Sequence, residues 1–241
     1  KSCSLKDTNS ILDIARKYEP DLIDVAQDDA IASGSVDLLR ENGFMVFGPI
    51  QEAAKIEWDK IWSRNSMKTE NILHPDFMCF NQTNIQEAIK YVKEIYSHNP
   101  NKIIYVKASG LCSGKGALKS QSLDEAVQNI EKMKEFGDSG REFLIEEGLV
   151  GEEFSGYAFS DGEFYKLLKS AQDNKTVFDS DLGPQTGGMG AVSPAMITES
   201  INREIDRELF GKAIKGLANR LLFYTGVLYV GGISVNGKPY V

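Results

Sequence analysis

Three segments of the 241-residue chain carry residue types and spacings suited to chemistry. The first is V-K-A-S-G-L-C-S-G-K-G, residues 106–116, where Lys107 ends a β-branched strand and a glycine-rich loop with Ser113, Gly114, Lys115 and Gly116 follows. Free backbone N–H groups in such a loop can approach phosphate oxygens, with the two lysines acting as point charges. It is not a Walker A loop, which needs glycine where Ser109 stands and Ser or Thr where Gly116 stands. On spacing alone, a phosphate-holding loop and a plain glycine-rich turn with solvated lysines fit equally.

The second is I-E-E-G-L-V-G-E-E-F, residues 145–154, in which Glu146, Glu147, Glu152 and Glu153 sit at a strand end. Such carboxylates suit a ribose or an exocyclic amine, although a charge run taken alone reads first as a solvated connector. The third, residues 172–194, has no usable periodicity, is rich in glycine and holds two prolines. It reads as a long functional loop or lid in which Asp181 to Gly190 lets backbone approach a small polar ligand. Asp173 and Lys175 at its start fit ligand contacts and an exposed ion pair equally.

Other chemistries find little support. His74 and His98 stand in polar stretches without partners at metal-ligand spacing, and no G-x-S-x-G elbow is present. Cys3, Cys79 and Cys112 are far apart and form no C-x-x-C pair, which fits a reducing cytoplasm better than a disulfide framework.

The elements that must position these segments divide into two styles. Over the first 50 residues, helical faces (Ile11, Leu12, Ala15, Tyr18; then Ser33 to Asn42, stopped by Gly43) alternate with strands at 22–26 and 44–47, the α/β pattern of parallel strands. Residues 51–67 read as one charged helix with Trp58 and Trp62 on one face. From about residue 100 the pattern turns α+β: a strand at 103–107, a helix opened by the capping box Ser122/Glu125, a strand at 142–146, and a hairpin over 153–169 through Ser160-Asp161-Gly162. A long amphipathic helix at 201–221 and a buried strand at 227–235 follow. The chain starts at Lys1 and stops at Val241, four residues after the turn pair Asn236-Gly237, so it reads as a piece of something longer, with a hairpin of one full arm and one stub.

Composition bounds the partners. Lys and Arg number 27 against 35 Asp and Glu, a net charge of −8, which disfavours nucleic acid as a main partner while leaving room for a small anion held by a few placed cations. No apolar run of about 18 residues and no signal-peptide pattern occur, so no membrane partner is expected.

Taken in order, VKASGLCSGKGAL, FLIEEGLVGEEFS and AQDNKTVFDSDLGPQTGGMGAVSP resemble the phosphoribosylamine–glycine ligase family of the ATP-grasp superfamily. The last string is the most specific. The resemblance implies an ATP-grasp fold, α/β and α+β, with a partial N-terminal parallel α/β domain. It implies ATP-dependent joining of glycine to 5-phosphoribosylamine through a glycyl phosphate, giving glycinamide ribonucleotide, ADP and phosphate, in cytoplasmic purine synthesis with Mg2+ or Mn2+. Carried over residue by residue, it puts Lys107 and Lys115 in catalytic roles on the ATP phosphates, beneath a covering loop of Ser113, Gly114, Lys115 and Gly116. Glu146 and Leu149 flank the adenine, Glu153 faces the ribose, and Arg64 adds a phosphate contact. Asp173, Lys175, Thr186, Gly187, Gly188, Met189 and Gly190 shape the glycine and phosphoribosylamine site. The family carries His where Asn174 stands and Arg where Thr176 stands. Its Glu and Asn metal ligands fall beyond Val241, so no metal ligand is expected in this chain, and the piece alone is expected to be inactive.

The same reading divides the chain into the remainder of an N-terminal α/β domain (1–50), linking helices (51–100), an ATP-grasp lid (101–160) and the start of a catalytic α+β subdomain (161–241). Two alternatives stand beside it: an ATP-grasp carboxylase or carboxylate–amine ligase with another acceptor, and a nucleotide-binding module without turnover.

Overall fold

A computed structural model describes residues 3–112, 114–179 and 182–241. It begins with α1 (Thr8–Tyr18), β1 (Ile23–Asp24), α2 (Asp28–Ala32), α3 (Ser35–Glu41) and β2 (Val46–Phe47). β1 and β2 pair in parallel, Ile23 opposite Val46, as the alternation of helix and strand signals leads one to expect. Gly43, at φ 84°, follows α3 in the left-handed conformation that lets the chain turn back toward β2. Leu12, Val25, Ile31, Val36, Leu39 and Val46 form the small core of this unit.

The single helix expected over 51–67 is two: α4 (Lys55–Trp58) and α5 (Lys60–Thr69). Asp59 breaks the run at φ −116°, ψ 99°, and its carboxylate accepts the Trp62 N–H at 3.0 Å, so a residue inside an apparently continuous pattern acts as a new N-cap. Trp58 and Trp62 consequently do not share a face; Trp58 packs against the N-terminal core and Trp62 against the core of the C-terminal sheet.

The middle of the chain contributes β3 (Phe77–Asn81), α6 (Ile85–His98), β4 (Ile104–Ala108), β5 (Ala117–Ser120), α7 (Leu123–Lys132), a 3-10 stretch at Met133–Gly140 and β6 (Glu142–Glu147). The strands form an antiparallel sheet in the order β3-β6-β4-β5. β3 lies in the interval read as linking helices; five residues of mixed burial leave too short a pattern to recognise. Ser122 caps α7, its Oγ accepting the Glu125 N–H at 3.3 Å, while Glu125 reaches back to the Gln121 N–H at 2.7 Å. Helices α6 and α7 cover one sheet face, where Val92, Val106, Ile130, Phe143 and Ile145 are buried together. Because strand side chains alternate, Tyr105, Lys107, Leu144 and Glu146 belong to the other face.

The rest comprises β7 (Glu152–Asp161), β8 (Tyr165–Leu167), β9 (Gln172–Phe178), β10 (Leu182–Val192), α8 (Glu199–Glu204), a π-helical turn at Ile205–Gly211, α9 (Lys212–Asn219), β11 (Thr225–Val235) and β12 (Lys238–Tyr240). A second antiparallel sheet runs β12-β11-β7-β8. The helix expected at 201–221 is interrupted by the π turn, yet Ile201, Ile205, Leu209, Phe210 and Leu217 still pack onto Phe154, Ala158 and Leu228 of the sheet. Each such buried side chain contributes roughly 1.5–3 kcal/mol.

The segment read as a loop over 172–194 is instead a two-stranded ribbon: β9 and β10 pair antiparallel, with Leu182 opposite Phe178 and Ala191 opposite Asp173. Its periodicity is silent for a physical reason. Both faces are largely solvated, so backbone hydrogen bonds hold it together without an alternating apolar pattern.

Candidate functional site

The face of the β3-β6-β4-β5 sheet turned away from α6 and α7 looks across a cleft toward β7, β9 and β11. Arg64, Tyr105, Lys107, Glu146, Leu149, Glu153, Asp173 and Lys175 all line it. At its centre, Glu146 is 3% exposed. Its Oε2 receives Arg64 Nε at 3.0 Å and Nη2 at 2.9 Å, and its Oε1 is paired with Lys107 Nζ. The Lys107–Glu146 contact is a cross-strand diagonal, because Lys107 stands opposite Leu144 and Glu146 opposite Tyr105. Lys107 also lies over the Tyr105 ring, 5.4 Å from its centroid.

Burial alone would push the Glu146 carboxyl up, but the charges of Lys107 and Arg64 outweigh it and hold the group below the usual carboxylate range. Burial, aided by Arg64, lowers Lys107 against the opposing pull of Glu146. Among the described residues two more ionisable groups line the inner continuation of the cleft, Lys60 and Glu57. Burial is the main cause lowering Lys60, with Lys107 and Arg64 as like-charged neighbours. Burial raises Glu57 to about 7 although its Oε1 accepts the Tyr229 N–H at 3.0 Å. Sequence reading passed over both: within the charged stretch 51–67 nothing separates a buried lysine or glutamate from a solvated one. The one available signal is that Lys60 and Arg64 are four apart on α5 and share a helical face.

The cleft therefore has a cationic wall, Lys60, Arg64 and Lys107, around the Glu146 carboxylate, and an acidic rim supplied by Glu153 and Asp173. Chemically this suits an elongated polar ligand with several negative charges at one end and hydroxyl or amine donors at the other. Glu147, next to Glu146 at the end of β6, is paired with Lys102.

Other residues singled out from the sequence lie apart from this cleft. Gly114, at φ 77°, and the exposed Lys115 belong to the turn between β4 and β5, with Gly116 at its end. Ser113 lies outside the described residues. Thr186 through Gly190 are in β10, and among the described residues Thr186, Gly188, Met189 and Gly190 do not line the cleft. Thr186 bonds within the ribbon to a strand that lines the cleft: its hydroxyl donates to the Lys175 carbonyl at 2.9 Å and accepts the Gly188 N–H at 3.0 Å. Among the described residues no three His, Cys, Asp or Glu side chains converge into a candidate metal site. No helix of the described residues is long and apolar enough to cross a membrane.

Comparison with known proteins shows the family and the fold. Residues 58–241 match the family model described as phosphoribosylglycinamide synthetase, ATP-grasp (A) domain. The phosphoribosylamine–glycine ligase of Chlorobaculum tepidum is 35% identical over 239 residues, covering 98% of this chain and 55% of that protein. The Escherichia coli O157:H7 protein of the same name is 35% identical over 240 residues, covering 98% and 54%. The chain thus spans about half the length of the curated relatives it matches. Among solved structures, phosphoribosylamine–glycine ligase from Thermotoga maritima superposes with a TM-score of 0.80 at 29% identity, over 95% of this chain and 56% of that one. The D-alanine–D-alanine ligase from Coxiella burnetii, TM-score 0.68 at 14% identity over 92% of this chain and 57% of that one, shares the fold. The mixed α/β architecture is that of ATP-grasp proteins, and with a family match running from Trp58 to Val241 the chain belongs to the phosphoribosylglycinamide synthetase ATP-grasp domain family.

Proposed function

We propose that this chain carries the nucleotide-holding part of an ATP-dependent ligase that joins glycine to 5-phosphoribosylamine, giving glycinamide ribonucleotide, ADP and phosphate. The carrying observation is the cleft cluster in which Lys60, Arg64 and Lys107 surround Glu146, with the second inner carboxyl, Glu57, raised to about 7, leaving cationic charge for a phosphate chain. In this reading a glycine carboxylate oxygen attacks the γ-phosphorus and ADP leaves. The amine nitrogen then attacks the acyl carbon, phosphate leaves, and the amine gives up a proton. Both steps bring anions together or develop charge on phosphate, which fixed cations and backbone N–H groups stabilise.

The residue roles in this reading combine that arrangement with the family resemblance. Lys107, Arg64 and Lys60 take the phosphates, and the turn holding Ser113, Gly114, Lys115 and Gly116 covers them. Glu146 keeps the cations in register and, with Leu149, marks the hinge beside the adenine; Glu153 takes the ribose. Asp173 and Lys175, with Thr186 to Gly190 on the ribbon, shape the glycine and phosphoribosylamine side. A divalent cation would accompany the ATP, and the small-molecule substrates and free cysteines fit a cytoplasmic setting.

Calorimetry tests the site: ATP should bind, and Lys107→Ala should weaken it by about 10- to 100-fold, as expected for losing a charge-assisted contact. Absence of ATP binding would remove the reading. In a full-length ligase carrying this chain, turnover to ADP and phosphate should require both glycine and 5-phosphoribosylamine, and turnover independent of the latter would replace the acceptor.

A further inference from the structure

Two groups of residues meet where α5 enters the cleft. Lys60 and Arg64 share one face of α5, while Lys107 is on β4 and Ser109 is the residue that follows the strand's end. No short covalent link sets one group against the other, since Ile61 and Ser109 are 48 residues apart in sequence. Hydrogen bonds do so instead. The Lys60 N–H donates to the Ser109 carbonyl at 3.0 Å, and the Ile61 N–H donates to Ser109 Oγ at 3.0 Å. The Ser109 hydroxyl donates in turn to Asp59 Oδ1 at 2.8 Å, the same oxygen that accepts the Trp62 N–H at 3.0 Å.

The first N–H groups of a helix have no partner inside it, and here they are all spent on Asp59 and Ser109. Capping α5 would need only Asp59. The additional bonds to Ser109, itself 5% exposed, fasten the helix to the strand end two residues beyond Lys107. Such fastening has a purpose in a cluster of like charges. Lys60, Arg64 and Lys107 repel one another, with Glu146 as the carboxylate between Arg64 and Lys107, so their spacing is not self-maintaining. Small displacements of charge-positioning groups cost large factors in binding and rate.

We infer that Asp59 and Ser109 form a positioning pair that sets Lys60 and Arg64 on α5 against Lys107 on β4, so that all three address one phosphate chain. The inference rests on the nucleotide reading of the cleft. It makes Asp59 and Ser109 positioning residues, acting through the cations without touching the ligand.

Calorimetric titration of the chain with ATP and, separately, with adenosine tests it, alongside thermal melts. Ser109→Ala should weaken ATP by at least about tenfold while changing adenosine less than about twofold, because only the phosphate contacts are displaced. General loosening of the fold would weaken both ligands together. The exchange Asp59→Ser with Ser109→Asp should restore ATP affinity. The new hydroxyl at position 59 can still cap Trp62, and the new carboxylate at 109 can accept from Ile61 and from that hydroxyl. Wild-type ATP affinity in Ser109→Ala would overturn the proposal, as would equal losses for ATP and adenosine. If Ser109→Ala does not fold, the exchange decides: recovery of folding and ATP affinity supports the pair, and failure of either overturns it. ATP binding by the unaltered chain is read first, so failure of the nucleotide reading shows there and is not confused with failure of the pair.

Discussion

Arg64 places both Nε and Nη2 on one oxygen of Glu146, at 3.0 and 2.9 Å, and leaves the other oxygen to Lys107. The two residues are 82 apart in sequence, so a single carboxylate joins α5 to β6 and β4. Glu146→Gln should therefore cost about 3 kcal/mol of folding stability, because two largely buried cations lose their counter-charge. Urea unfolding measures it; a loss below about 0.5 kcal/mol would mean that water, not Glu146, balances those cations.

A pH dependence follows from Glu57. Burial raises its carboxyl from the ordinary 4.5 to about 7. Between those values the native state holds a proton that the unfolded chain has released, so this group's contribution to stability falls as pH rises through the window. The full shift corresponds to about 3 kcal/mol. Glu57→Gln keeps an acceptor for the Tyr229 N–H and removes the titration, so wild type should lose stability relative to the variant between pH 5 and 7.5. Parallel urea midpoints across that range would exclude the buried acid.

Arg220 fastens α5 from its other side. Its guanidinium donates to Ser66 Oγ at 2.9 Å and to Glu70 Oε1 at 3.0 Å, and lies 5.5 Å from the Trp62 ring centroid. Arg220→Lys keeps the charge but not the fork that reaches both partners, so a loss of about 1 kcal/mol is expected, visible as a lowered Tm. An unchanged Tm would show that charge alone suffices there.

At Gly232, where β11 meets β12, an added Cβ would lie 2.3 Å from the Phe154 ring and 2.6 Å from the Tyr240 carbonyl oxygen. One of these neighbours is backbone, so the crowding cannot be relieved by a rotamer change alone. Gly232→Ala should destabilise by about 1–3 kcal/mol. Thermal melts of Gly232→Ala beside Gly237→Ala separate this crowding from conformational strain, since nothing lies within 4 Å of a Cβ at Gly237, which has φ 77°.

Much of this was legible in the amino-acid order. Strands β4 and β6 read clearly because apolar residues face α6 and α7, and the motifs at their ends led to the same cleft. The ribbon of β9 and β10 did not, because its strands bury no continuous face and so carry no alternation. The break at Asp59 was hidden since a helical pattern continues on both sides, and only the side-chain bond to Trp62 reveals a cap. Lys60 and Glu57 escaped because burial of a charged residue is a property of tertiary packing, absent from any local pattern.

The break at Asp59 also has an optical consequence. The chain has two tryptophans, and the break hands one to each of two cores, Trp58 to the first and Trp62, beneath the Arg220 guanidinium, to the second. Intrinsic fluorescence is therefore a two-channel reporter. If the Asp59 joint transmits unfolding from one core to the other, single-tryptophan variants will trace superimposable denaturation curves; if the cores release separately, the two emission curves will part at the joint.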